Sequence, residues 1–112
     1  MGLEFVQKLP TRTGTGTMYR LRFGESDFKL VEVPNTPPAG PVGLTAQLGF
    51  RYVTFLVQDL SGLCRRLQDN HVPFLMPEHE SWPGVRFAMV QEPDGNIIEL
   101  VELDPNIKSD FK

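Results

Sequence analysis

The chain of 112 residues is poor in the residues that most often build metal or covalent sites, since it has one cysteine, two histidines and one tryptophan. The lone Cys64 excludes an internal disulfide and a zinc site made of several cysteines, which fits a reducing compartment. No apolar run approaches the roughly 18 residues that a membrane span needs, and no charged-then-apolar leader is visible. We therefore expect a cytoplasmic protein with no membrane partner.

Basic residues are also scarce, and this bears on the class of partner. Lys and Arg number 11 against 14 Asp and Glu, for a formal net charge of −3. There is no basic cluster with interleaved aromatic residues, so nucleic acid is not an expected partner. The length suits one structural domain with one modest core.

The most regular stretch is residues 84–103, GVRFAMVQEPDGNIIELVEL. Apolar and other side chains alternate from Val85 to Val90, the period of a half-buried strand. Pro93-Asp94-Gly95-Asn96 has the composition of a tight turn, and an apolar run follows it, so we predict a hairpin. Glu99 is the exception, because a carboxylate that points inward from such a strand needs a metal, a cation or a proton.

The remaining elements follow from the same periodicities. Asp59 is a good helix N-cap, apolar residues recur after it at i, i+3, i+4 and i+7, and Asn70 is a plausible C-cap. Residues 77–84, with Trp82, are predicted to form a polar loop. The other predicted strands are residues 3–9, 18–23, 28–33, 50–57 and 72–76, with turns or loops at 11–17 and 24–27.

The two halves of the sequence repeat each other. KLVEV at residues 29–33 echoes ELVEL at 99–103, and GLEFV at 2–6 lies opposite HVPFL at 71–75. Both echoes have an offset of about 70 residues, and a common offset indicates internal duplication. The second copy is predicted as strand–helix–strand–strand–strand, and the first as the last three strands alone.

The pattern is a duplicated βαβββ module. Its first strand and helix start read GFRYVTFLVQDL, and its final hairpin reads PDGN-IIEL. This pattern resembles the glyoxalase/bleomycin resistance/dioxygenase superfamily, also called vicinal oxygen chelate proteins. The resemblance implies an α+β fold in which paired βαβββ modules form a curved mixed sheet around a cavity, with the first module lacking its initial strand and helix. The predicted parts are residues 1–33 (partial first module), 34–48 (Pro/Gly-rich linker), 49–104 (complete module) and 105–112 (tail), in one structural domain.

In metal-dependent members each module offers one ligand from its first strand, often His, and one from its last, usually Glu. By that resemblance Glu99 matches a last-strand ligand, Tyr52 stands where His is usual, and Lys29 stands at the first module's Glu position. We therefore expect no complete metal site. Lys29 and Glu99 are expected either to meet and neutralise each other or to reach solvent separately.

Three functions remain open at this point. We favour a protein that binds a small organic molecule in its cavity without a cofactor, with Tyr52, Thr54, Trp82, Arg86 and Lys29 as candidate binding residues. One alternative is a lyase, epimerase or dioxygenase that uses Mn, Ni, Zn or Fe, with Glu99 as a ligand and the site completed across a dimer. The other is a shortened family member without catalytic activity. An exposed sheet edge would favour a homodimer in each case.

Overall fold

A computed structural model describes residues 2–12 and 14–106. The chain divides into two compact units, Met1–Pro38 and Ala39–Lys112. The first unit contains strands β1 (Glu4–Pro10), β2 (Thr17–Phe23) and β3 (Ser26–Glu32). The second contains β4 (Tyr52–Leu56), helix α1 (Leu60–Asp69), β5 (Phe74–Trp82), β6 (Val85–Gln91) and β7 (Ile97–Leu103).

The first unit is an antiparallel meander in the order β1-β2-β3. Its register places Gln7 opposite Arg20, and Arg20 opposite Lys29, so the three side chains form one row across the sheet. The turn between β2 and β3 uses Gly24 at φ 58°, a conformation that glycine adopts without steric cost. The hairpin predicted for this region is confirmed, with β3 beginning two residues earlier than expected.

The second unit is a four-stranded mixed sheet in the order β4-β7-β6-β5. β4 runs parallel to β7, and the other neighbours are antiparallel. Helix α1 packs against β5, β6 and β7. Its apolar stripe is buried as its spacing predicts. The buried hydrophobic residues of this unit are Phe55, Leu60, Leu63, Cys64, Leu67, Val85, Ala88, Met89, Val90, Ile97 and Leu100.

Two carboxylates cap the N-terminus of helix α1. The Asp59 carboxylate accepts a hydrogen bond from the Gly62 N–H at 3.1 Å, and Glu102 on β7 accepts one from the Leu60 N–H at 3.0 Å. These acceptors satisfy N–H groups that have no partner within the helix, and they tie its first turn to the sheet. Within the described residues, no helix is long and apolar enough to cross a membrane.

The helix ends in a Schellman motif. The His71 N–H donates to the Gln68 carbonyl and the Val72 N–H to the Leu67 carbonyl, both at 3.0 Å. His71 follows the predicted C-cap Asn70 and has φ 59°, a left-handed conformation that is normally occupied by glycine. His71 thus serves as the turn residue that reverses the chain toward β5.

The prediction of a loop over residues 77–84 is wrong. β5 continues through this stretch to Trp82 and pairs with β6. The strand is irregular, with shifts of register on both sides of Met76 and again before Trp82. Because β5 is an edge strand, Pro77 removes no essential ladder hydrogen bond. The edge also leaves Glu80 and Ser81 exposed to solvent, whereas Glu78 is partly buried and paired with Arg86.

The duplication predicted from sequence is visible in the pairing of the strands. β5-β6-β7 is an antiparallel meander like β1-β2-β3, and its matching row is Met76, Met89 and Glu99. In the first unit the same row is Gln7, Arg20 and Lys29. The two meanders therefore share a backbone arrangement but differ in side-chain chemistry. The row in the second unit is apolar except for one carboxylate, and the row in the first unit contains two cations.

Candidate ligand-binding site

The candidate site lies on the face of the second sheet that is turned away from α1. Side chains alternate between the two faces of a strand, so Thr54 and Glu99 project to the opposite side from their buried neighbours Phe55 and Leu100. Parallel pairing of β4 with β7 puts Thr54 directly beside Glu99. The face is therefore formed by every second side chain of each strand, and the side chains between them point toward the helix.

A cleft of about 460 Å³ opens on this face. This volume lies within the range of small-molecule pockets. Most of the wall is apolar, and Trp82, at the end of β5 and 50% exposed, forms one side of it. The lining residues are Thr54, Leu56, Ser81, Trp82, Val85, Phe87, Glu99, Val101 and Leu103.

The polar end of the cleft is one hydrogen-bonded pair. The Thr54 hydroxyl donates to Glu99 Oε1 at 2.8 Å. This bond fixes the orientation of the carboxylate and leaves its other acceptor positions directed at the cleft or at solvent. An ionised carboxylate accepts hydrogen bonds only, so this end of the cleft suits a ligand group that carries N–H or O–H donors.

His79 is the cross-strand partner of Phe87 and lies on the same face of the sheet, beside the cleft. Its ring centroid is 4.2 Å from that of Phe87, a lining residue, and its Nδ1 is 2.8 Å from the Pro77 carbonyl oxygen. Because a carbonyl oxygen can only accept, Nδ1 must carry the proton in this contact. His79 therefore braces Phe87, a role hidden from sequence reasoning by the incorrect loop prediction.

The structure brings together some of the predicted binding residues and separates others. Thr54, Trp82 and Glu99 share the cleft. Tyr52 is half-exposed on the same strand face as Thr54 but does not line the cleft. Phe87 was not predicted, although its alternation with Arg86 already placed these two residues on opposite faces.

Arg86 projects toward the helix side. Its Nη2 contacts Glu78 Oε2 at 2.6 Å, and Ser61 Oγ donates to the same carboxylate oxygen at 2.6 Å. Arg86 also lines a second, more polar cleft of about 540 Å³ that includes Glu80 and Glu102. Arg86 thus links β5 to β6 beside the helix and takes no part in the apolar cleft.

Cys64 is buried near this ion pair. Burial raises the pKa of its thiol, and the negative charge of Glu78 raises it further while Arg86 opposes the effect. The thiol is therefore held in its neutral form at pH 7, as suits an inert core residue.

The residues of the second unit do not provide the donor set that a divalent ion takes. Within residues 2–12 and 14–106, no three His, Cys, Asp or Glu side chains lie close enough together to hold a metal. At Glu99 the neighbouring oxygen is a neutral threonine hydroxyl, whereas divalent ions prefer several carboxylate or imidazole ligands. The expectation of a cofactor-free protein stays a prediction.

Lys29 lies in the first unit and is exposed on β3. It lines a cleft of that unit with Arg12 and Arg20. The predicted pairing of Lys29 with Glu99 concerns residues of two different units and stays a prediction.

The second unit is a βαβββ module whose first and last strands pair in parallel. The meander that precedes it in the chain has the same arrangement as its last three strands. Together they define the two-module class of fold predicted above. A family model described as Glyoxalase/Bleomycin resistance protein/Dioxygenase superfamily matches residues 1–100. The chain belongs to this superfamily. The predicted α+β fold of paired modules is thereby confirmed.

Solved structures show the same fold at low sequence identity. A glyoxalase/bleomycin resistance protein/dioxygenase domain from Frankia sp. EAN1pec superposes with a TM-score of 0.73 at 16% identity, covering 94% of this chain and 76% of that one. The glyoxalase family protein from Enterococcus faecalis gives 0.69 at 19% identity, with 90% and 79% covered. The trypanothione-dependent glyoxalase I of Leishmania major gives 0.69 at 19% identity, with 90% and 69% covered. No functionally curated protein matches the chain.

Proposed function

We propose that this protein binds a small organic molecule in the cleft formed by β4, β5, β6 and β7, without a metal cofactor. The observation that carries the proposal is a cleft of about 460 Å³ with apolar walls and a single oriented carboxylate, Glu99, at its polar end. Sites that bind small molecules are usually apolar clefts with a small number of polar groups that point into them.

The chemistry of the cleft specifies a class of ligand. Phe87, Val101 and Trp82 offer apolar and aromatic surface to a ring or a branched chain. Glu99 favours an amine or another N–H donor over a neutral hydroxyl, and it disfavours a carboxylate by charge repulsion. We therefore expect an apolar or aromatic molecule with a basic group at one end.

Trp82 provides the assay, since it is the single tryptophan of the chain and forms part of the cleft wall. The ligands are three compounds of similar shape and different charge: phenethylamine, 2-phenylethanol and phenylacetate. Each compound is titrated into the protein while the NMR signal of the Trp82 indole N–H is followed. We expect the amine to bind most tightly and the acid least. Glu99→Gln should weaken the amine about five- to tenfold, the loss of roughly 1–1.4 kcal/mol from a charge-assisted hydrogen bond at a partly exposed site.

The matched control is Glu102→Gln. Glu102 lies on the same strand but on the other face, and the new amide oxygen can still accept from the Leu60 N–H. This variant should leave all three affinities unchanged. An indole signal that none of the three compounds moves, or equal losses in the two variants, would contradict the proposal.

We further propose a homodimer as the assembly. β4 is an edge strand of its sheet, so one side of its backbone is not paired within that sheet. Leu48 and Phe50 precede it with 98% and 104% of their surfaces exposed. A second copy covering this edge would bury both side chains, which are costly to leave in water.

A further inference from the structure

The meander of the first unit carries a cleft of its own, with a chemistry opposite to that of the cleft just described. Its volume is about 600 Å³. Three of its lining residues, Arg12, Arg20 and Lys29, are cationic, and Asp27 is the one acidic residue among them. The cleft therefore has a net positive charge, although the whole chain has a formal net charge of −3.

Arg20 and Lys29 are direct cross-strand partners. Like charges opposite each other in an antiparallel pair destabilise the sheet, because their side chains project from the same face within a few ångströms. The Lys29 ammonium has no ion pair or side-chain hydrogen bond with any residue in the described part of the chain. An anion between the two side chains would turn this repulsion into attraction.

Arg20 is held in place for such a contact. Its Nη1 donates to Gln7 Oε1 at 3.0 Å, and its Nε lies 3.2 Å from Asp27 Oδ2. The contact with Asp27 is an ion pair without hydrogen-bond geometry, so the buried Nε has no hydrogen-bond acceptor among residues 2–12 and 14–106. Gln7 and Asp27 together hold the guanidinium in one orientation, and its remaining N–H groups can donate to a ligand oxygen.

We propose that the Arg20–Lys29 face of the first unit binds an oxyanionic group, a carboxylate or a phosphate, of a small molecule. Arg20 offers a guanidinium fixed by Gln7 and Asp27, and Lys29 offers a second, movable charge across the strand pair. The two together match the charge and the several acceptor oxygens of such a group. The proposal is independent of the function proposed above, because all of its residues belong to the first unit.

Inorganic phosphate and succinate serve as separate probes, titrated into the full chain at constant ionic strength. The readout is the backbone amide signals of Arg20 and Lys29 by NMR. We expect saturable shifts, with Lys29→Gln weakening the better of the two probes about tenfold and Lys29→Glu abolishing its binding. The tighter-binding probe shows whether the natural group is a phosphate or a carboxylate.

Lys8→Gln is the matched control. Lys8 belongs to the same sheet, but its ammonium lies 5.7 Å from the centroid of the Tyr19 ring, on the face opposite to Arg20. This variant loses the same charge from the unit and should retain the wild-type affinity. Equal weakening by Lys8→Gln and Lys29→Gln would show diffuse charge attraction and overturn the proposal, as would shifts that do not saturate for either probe. Thermal unfolding of each variant establishes that the sheet is intact.

Discussion

Thr54 donates its hydroxyl hydrogen to the Glu99 carboxylate at 2.8 Å, across the parallel pair of β4 and β7. The two residues are direct register partners, and most of the cleft around them is apolar. The family resemblance directs attention to Glu99 as a ligand for a metal. The structure shows that a neutral hydroxyl orients this carboxylate at the polar end of a cleft.

Replacing Thr54 with Val keeps the β-branched shape and removes the donor. We expect the free energy of unfolding to fall by at most about 0.5–1.5 kcal/mol, because the bond is partly exposed to water. Glu99 would then sample several rotamers, so the preference for phenethylamine over 2-phenylethanol should shrink. Thr54→Ser retains the hydroxyl and should behave like the wild type. Equal selectivity in the Val and Ser variants would show that the bond does not orient Glu99.

The metal content of the purified protein tests the cofactor-free proposal. After incubation with Mn, Ni, Zn or Fe(II) and desalting, elemental analysis should find far less than one ion per chain, since one carboxylate and one hydroxyl are too few strong ligands. Stoichiometric metal that is lost on Glu99→Gln would contradict this prediction. It would favour the metal-dependent lyase, epimerase or dioxygenase, with a site completed across a dimer.

Cys64 should make stability depend on alkaline pH. Its thiol pKa is raised above the ordinary value of 9.0, so the folded state holds the proton more tightly than the unfolded state does. The resulting stabilisation is complete below the ordinary thiol pKa and is lost as pH rises through the folded value. Urea unfolding above pH 9 should therefore show a steeper decline for the wild type than for Cys64→Ala.

The reference value is the difference in the free energy of unfolding between the wild type and Cys64→Ala at pH 7. At that pH the difference reflects only the smaller side chain of alanine. A constant difference in the free energy of unfolding from pH 7 upward would show that the thiol does not titrate differently in the folded state.

His71→Gly should stabilise the protein. His71 holds the left-handed position of the Schellman motif at φ 59°, where a side chain costs about 1 kcal/mol relative to glycine. The gain is reduced by the greater freedom of glycine in the unfolded chain, so we expect about 0.5–1 kcal/mol from urea unfolding. His71→Ala retains a Cβ and should give no comparable gain. A Gly variant no more stable than the Ala variant would show that the position is not strained.

The exposed apolar segment before β4 should control assembly. Sedimentation at micromolar concentration is expected to show a dimer for the wild type and a shift toward monomer for Phe50→Ser, which removes a fully exposed ring. Glu25→Ser, in the turn between β2 and β3 of the first unit, is the surface control and should remain dimeric. A wild-type monomer at these concentrations would contradict the homodimer proposal.

Much of the architecture could be predicted because local patterns and packing agree. The period-two alternation in β6, the turn at residues 93–96 and the spacing of apolar residues after Asp59 each specify an element whose buried face is unambiguous. The repeat between residues 29–33 and 99–103 also survives in the register, since Lys29 and Glu99 occupy matching places in two similar meanders.

Sequence reasoning failed where the local signal was ambiguous. PEHESW has the composition of a loop, and only pairing with β6 makes it an edge strand, because an edge tolerates proline and solvent-facing charge. That pairing decides where Trp82 stands, and with it one wall of the cleft.

The sequence by itself determined the folding unit and its duplication, since these depend on periodicity and on residues that recur at a fixed offset. The tertiary structure decided which face of the second sheet the helix covers. It thereby placed Arg86 with Glu78 and Ser61 on the helix side and left Thr54, Trp82 and Glu99 around the cleft. Alternation along a strand tells only that two neighbours point in opposite directions, and the packing of another element decides which of them is covered.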